Sequence, residues 1–265
     1  MIETAENHYS FAKGVPYPLS KETRRLFQTD RPEIPKQYDF REKYNATISN
    51  IVQNQGQCGS CWAISAADCA AAYALKWTTE TNNTIVNEHF SAQYLLDCDH
   101  SCQSYDAKDC QNGCRGGYSN LAFEFMKKNG IPNSECLPYK MKNDTCPATC
   151  VSGKSINYFT KEQCGFEPWV FFPGNSIRPL EDIQLILSWW GPAAVNYEVF
   201  KSFYDFTDQF KNGEVYTKNP KERKGTGEYH AVAIYGYGEK NGTNYWLVKN
   251  RFAHFVVFLN QSLHI

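Results

Sequence analysis

The chain has 265 residues, enough to build one large core or two small ones. Apolar residues at 42% and aromatics at 15% exclude a disordered chain. With 27 basic residues set against 28 acidic ones and the signs interspersed, there is no electrostatic reason to expect nucleic acid or a membrane surface as partner.

Residues 1–32 are polar and lead into "QTDRPEIPKQYDF", where Pro32 and Pro35 favour extended chain, as in a linker or pro-segment ahead of the folded unit. The opening "MIETAENHYSFAKG" has no basic start and no apolar run of a signal peptide, and we expect the natural start to lie upstream. From Cys61 to Trp77, "CWAISAADCAAAYALKW" is rich in Ala and lacks Gly and Pro, which predicts a buried helix. "SNLAFEFMKKNGIP" predicts a second helix stopped by Gly130 and Pro132, and "LEDIQLILSWWGP", Leu180 to Pro192, a third with a similar stop. The period then changes. "HAVAIYGYG" and "TNYWLVKN" are strand-like and joined through Glu239 to Gly242, a hairpin pattern. Helices precede strands, so the class is α+β with two sub-domains. The boundaries are 33–165, mainly helical and rich in cysteine, and 166–265, barrel-like, with 251–265 an atypical tail.

All eleven cysteines lie between 58 and 164. Their density suits an oxidising compartment, and the odd count leaves at least one thiol unpaired within the chain. Asn45, Asn82, Asn143 and Asn241 each head an Asn-X-Thr triplet open to glycosylation in the same setting.

The chemistry concentrates in "QNQGQCGSCWAIS", Gln53 to Ser65. Cys58 and Cys61 could be a redox dithiol, half of a zinc site, disulfide partners, or a nucleophile and a neighbour. A redox pair wants a βαβ context that the flanking sequence does not show. A zinc site wants a second matched pair; Cys98, Cys102, Cys110 and Cys114 offer spacings of four, but no His lies at ligand spacing. A catalytic thiol must be a thiolate, and a helix N-terminus beside a cation stabilises one. Cys61 stands where the Gly-rich loop gives way to the Ala-rich helix, which favours Cys61 as nucleophile.

"CGSCW" followed far downstream by "YHAVAIYGYG" and "NYWLVKN" resembles the papain family of cysteine peptidases, and the cathepsin B-like branch in particular. "IPKQYDFREKY" resembles the start of the mature enzyme, "CRGGY" the substrate-binding strand, and "GPAAVNYEVFKSFYDF" the start of the second domain's barrel. The resemblance implies a papain-like fold, a helical disulfide-rich domain facing an antiparallel β-barrel. It implies Cys61 as nucleophile, His230 as base, Asn250 as the residue that orients His230, and Gln55 in the oxyanion hole. Gly116, Gly117 and Tyr118 would meet the substrate, and Cys58 would be bonded to Cys114. Polypeptides are the implied substrates and cystatin-type proteins the implied inhibitors. The implied state is a lysosomal, vacuolar or secreted monomer with no metal, no cofactor, no nucleic acid and no membrane. A hairpin centred on residue 240 would set His230 directly opposite Asn250. Cys69 matches no family position and is expected as a buried thiol. The exopeptidase loop of the cathepsin B-like branch carries paired histidines; "CLPYKMKNDTCPATC" has none, which favours endopeptidase action.

The pattern departs after Asn250. The family continues with Ser-Trp-Gly, whereas here the text is "RFAHFVVFLNQSLHI", with Phe252 where the Trp stands. We therefore expect an aberrant or truncated C-terminus, from an unspliced intron, a frameshift or an alternative exon, with an incomplete barrel and an exposed, unpaired edge. The alternative reading is a catalytically impaired homologue, a binding or decoy protein or a mis-spliced product. A dithiol oxidoreductase would require Cys58 and Cys61 to bond to each other.

Overall fold

A computed structural model describes residues 33–47, 51–103, 106–165, 180–206, 213–250 and 257–260. The segment expected ahead of the folded unit, and Phe252, lie outside the described residues. Tyr38–Asp39 forms a short strand, β1, and Asp39 caps the helix that follows, α1 (Phe40–Tyr44), by accepting the Arg41 N–H at 2.9 Å. The Ala-rich segment is α2, Cys61–Glu80. It is buried around almost its whole girth, and its small side chains let neighbours approach closely. Helix α3 (Ala92–Cys98) is capped by Ser91, whose Oγ accepts the Tyr94 N–H at 3.0 Å. A small hairpin, β2 (Cys102–Gln103) and β3 (Asp106–Cys110), leads to α4 (Ser119–Asn129), which stops at Gly130 in the left-handed region. A single turn, α5 (Lys161–Cys164), and α6 (Leu180–Trp189) complete the helical part.

The second half is a mixed sheet. Its strands are β4 (Ala193–Glu198), β5 (Val215–Tyr216), β6 (Tyr229–Lys240), β7 (Thr243–Lys249) and β8 (Val257–Asn260), with α7 (Lys201–Asp205) after β4. Order runs β1-β6-β7-β8-β5, and β4 shares the β1 edge of β6. Neighbours are antiparallel except β5 and β8, which run parallel, a departure from the expected wholly antiparallel barrel. The sheet is open, with no closed barrel among the described residues. The barrel is incomplete as expected, and part of the atypical tail forms β8, whose backbone pairs with β7 from Tyr245↔Asn260 to Val248↔Val257. Such pairing satisfies the row of β7 backbone groups that an edge would expose.

One core joins the two halves, because α2 packs directly on β6. Phe40 meets Tyr235 edge-on at 5.9 Å, and Tyr237 meets its cross-strand partner Trp246 at 6.2 Å. All eleven cysteines are accounted for: Cys58–Cys114, Cys98–Cys146, Cys102–Cys110 and Cys136–Cys150 are bonded, while Cys61, Cys69 and Cys164 remain thiols.

Candidate active site

The loop of residues 53–60 delivers Cys61 to the first position of α2, where its side chain is partly exposed. Ser60, at the cap position, makes no side-chain cap bond, so the dipole end of a 20-residue helix stays directed at the thiol. Trp62 is fully buried, and its Nε1–H donates to the Gly113 carbonyl at 3.0 Å. The Gly59 N–H donates to the Cys114 carbonyl at 2.8 Å beside the Cys58–Cys114 bond. Three independent ties therefore fasten the segment around Cys61 to residues 113–114.

Those residues lead into Gly116, Gly117 and Tyr118. A Cβ on Gly116 would meet nothing within 4 Å, so that position faces open space. At Gly117 a Cβ would lie 2.3 Å from Gln111 Oε1 and 2.7 Å from the Trp62 ring, so the protein's own packing demands glycine there. Gln111 holds the next residue at both ends: its Oε1 accepts the Tyr118 N–H at 2.7 Å and its Nε2–H donates to the Tyr118 carbonyl at 3.0 Å. Gln111 in turn donates to buried Asp99 at 2.9 Å. Burial pushes the Asp99 carboxyl above the usual carboxylate range, opposed by hydrogen bonds from Ser101 and Gln111.

Gln55 is positioned by its backbone. Its carbonyl accepts the Tyr139 O–H at 3.0 Å, and the same hydroxyl is hydrogen-bonded to Ser60 Oγ. Gln55 Oε1 is buried with no hydrogen-bond partner among the described residues. A buried unpaired acceptor costs about 1–3 kcal/mol, and such groups cluster where a site is kept for something else.

His230 and Asn250 lie on β6 and just beyond β7, both buried. The hairpin turns on Asn241 and Gly242, both left-handed, pairing Lys240 with Thr243. Its centre is therefore not at residue 240, and His230 does not face Asn250 directly. From Thr243 to Leu247 the partners sum to 483; beyond an irregularity between Ile234 and Gly236 they sum to 482. Tyr235 is thus an extra residue, a bulge. Without it Asn250 would fall opposite Ala233, three places from His230 and so on the other face of the sheet. With it Asn250 falls opposite Val232, two places away and on the same face. The diagonal distance is within side-chain reach, and His230 Nε2 lies 3.0 Å from Asn250 Oδ1. Because Oδ1 accepts, Nε2 carries the proton, which makes Nδ1 the basic nitrogen of the neutral ring. Tyr197, directly across from His230 on β4, steadies the ring edge-on at 5.8 Å.

The sequence pattern of the papain family cysteine proteases matches residues 34–254. The chain belongs to the papain family. A cathepsin B-like protein, CP2 of Giardia intestinalis, is 29% identical over 84% of this chain and 66% of its own length. Vignain of Phaseolus vulgaris is 31% identical over 92% of this chain and 57% of its own. Procathepsin L of Rattus norvegicus is 31% identical over 85% and 59%. The chain thus spans between 57% and 66% of the length of these relatives. Procathepsin B S9 from Trypanosoma congolense shares the fold, with a TM-score of 0.67 at 22% identity over 95% of this chain and 78% of that one.

Within this family pattern, several supporting residues escaped the sequence reading. Gln111, Asp99 and Tyr139 carry no motif of their own; Gln111 could have been noticed only as a polar residue wedged in the cysteine-rich "CQNGC". Cys98, Cys102, Cys110 and Cys114, weighed as metal ligands, are all in disulfides, and no cluster of metal-binding side chains occurs among the described residues. No helix among the described residues is long and apolar enough to cross a membrane.

Proposed function

We propose that the protein is a cysteine endopeptidase acting on polypeptides. The observation that carries this reading is the buried 3.0 Å bond between His230 Nε2 and Asn250 Oδ1, which supports Nδ1 as the nitrogen that exchanges protons. In the proposed cycle Nδ1 takes the proton of the Cys61 thiol. The thiolate, at the N-terminus of α2, attacks the scissile carbonyl carbon; a C–S bond forms and the carbonyl electron pair moves to oxygen. The Cys61 N–H and the Gln55 amide stabilise that oxyanion, each donor contributing about 3 kcal/mol. Collapse re-forms the C=O, breaks the C–N bond, and the Nδ1 proton leaves with the amine. Water, deprotonated by Nδ1, then attacks the thioester and releases the acid and the Cys61 sulfur.

Gly116 and Gly117 give the substrate backbone an edge to pair with, and Tyr118 stands beside it as a pocket wall. The lack of paired histidines in residues 136–150 favours cleavage within chains over removal of dipeptides. We also assign the division into sub-domains at residues 165–166, a lysosomal, vacuolar or secreted setting, action as a monomer and control by cystatin-type inhibitors. Four disulfides support the oxidising compartment.

The test is hydrolysis of a dipeptidyl fluorogenic substrate by the purified protein. Activity blocked by a thiol-directed epoxide and absent in Cys61→Ala supports the reading. A protein that neither turns over substrate nor reacts with the epoxide at Cys61 refutes it in favour of a catalytically impaired homologue.

A further inference from the structure

The described core contains an ion pair with no part in the cycle above. Lys249 Nζ lies 2.8 Å from Asp68 Oδ1, across 181 residues of sequence, with the two side chains only 4% and 7% exposed. Asp68 is on α2, two turns along from Cys61, about 10 Å at the helical rise. Lys249 ends β7 and directly precedes Asn250. Tyr235, the bulge residue, joins them: its O–H donates to the Asp68 carbonyl at 3.2 Å, and Lys249 Nζ lies 5.9 Å from its ring centre. One cluster thus touches the helix carrying the nucleophile, the strand end carrying Asn250, and the bulge that brings His230 to the face of Asn250.

We propose that Asp68 and Lys249 are positioning residues that fix the placement of Cys61 relative to the His230–Asn250 pair. A buried ion pair is a poor way to gain stability. Its desolvation offsets most of the attraction, and apolar residues of similar shape often serve as well or better. What the pair supplies instead is a geometric constraint. A 2.8 Å contact with fixed partners tolerates no sliding of α2 against β7, whereas apolar packing on an Ala-rich helix would tolerate several registers. Thiol activation and proton transfer both depend on sub-ångström placement of Cys61 and His230. The proposal rests on the peptidase reading and adds the elements that hold its geometry.

The test uses the double variant Asp68→Val, Lys249→Met, near in shape and uncharged, beside Asp68→Glu, which keeps the pair. Four quantities are compared with the wild-type protein: thermal midpoint, kcat, KM on a dipeptidyl fluorogenic substrate, and the rate of Cys61 alkylation by iodoacetamide. The expected result is a midpoint within a few degrees, an unchanged KM, and kcat and alkylation each at least tenfold lower in the double variant. Asp68→Glu should recover both rates to within about threefold. If the double variant does not fold, the uncharged pair Asp68→Asn, Lys249→Gln, measured below its own midpoint, carries the same comparison. A folded charge-free variant whose kcat and alkylation stay within twofold of wild type overturns the proposal while leaving the peptidase reading standing. A wild-type protein that neither turns over nor alkylates faster than its unfolded chain overturns the peptidase reading, and this inference with it.

Discussion

Replacing Cys58 and Cys114 together by Ala removes the bond that closes a loop across 56 positions, between the segment leading to Cys61 and residues 113–118. In the chain-entropy treatment a loop of that length restricts the unfolded state by about 4 kcal/mol at 25 °C. The native geometry should survive, because the Gly59–Cys114 and Trp62–Gly113 hydrogen bonds span the same junction. The loss should therefore appear as stability and not as misfolding. It is a large share of the roughly 5–15 kcal/mol available to a domain. The Cys102–Cys110 bond, with a separation of only 8, provides the internal control. Its removal should cost about 2.5 kcal/mol by the same treatment. Urea unfolding of both variants, with the other disulfides intact, measures the difference, and the slope should rise as the freed unfolded chain expands. Should the short-loop variant lose as much stability as the Cys58–Cys114 variant, the entropic reasoning fails.

The three thiols should differ sharply in reactivity. Cys61 is partly exposed, whereas burial alone pushes Cys164 up to about 12 and Cys69 is enclosed in α2, so native alkylation at pH 7 followed by peptide mapping should label Cys61 alone; prompt labelling of Cys164 would contradict its environment. Gly117→Ala should destabilise the protein by about 1–3 kcal/mol and raise KM, since the new Cβ must displace Gln111 or Trp62; unchanged unfolding and kinetics would show that neither neighbour is fixed. Asp99, with its folded pKa raised by burial, binds its proton more tightly in the native than in the unfolded state, so its stabilising contribution is full below the unfolded pKa and is lost as pH rises through the native one. Urea midpoints of wild type and Asp99→Asn at pH 4 and pH 7 should therefore shift in favour of wild type on the acidic side, and the opposite slope would disprove the assignment.

Much of the site was readable where function coincides with local structure. Cys61 is legible because a Gly-rich loop followed by an Ala-rich run marks a helix start within a few residues. The hairpin is legible because Glu239 to Gly242 is a turn sequence between strand-like runs, although the turn falls on Asn241 and Gly242 and not at residue 240. Its register is not, since one bulged residue at Tyr235 leaves no mark in composition or periodicity yet decides which face His230 occupies. Likewise the tail's "HFVVFL" is apolar enough to be a strand; that Val257–Asn260 would cover β7 depended on the strand it meets.

Local sequence was enough for the pieces: Cys61 at a helix N-terminus, the His230 and Asn250 strands, the Gly116-Gly117 pair, and membership of the papain family. Those depend on short-range backbone preferences, which a few neighbouring residues fix. That Gln111 braces Tyr118, that Tyr235 bulges, and that Asp68 meets Lys249 across 181 residues emerged from the folded arrangement alone. Such contacts arise where packed elements bring distant residues within hydrogen-bonding distance, and no local spacing encodes that distance.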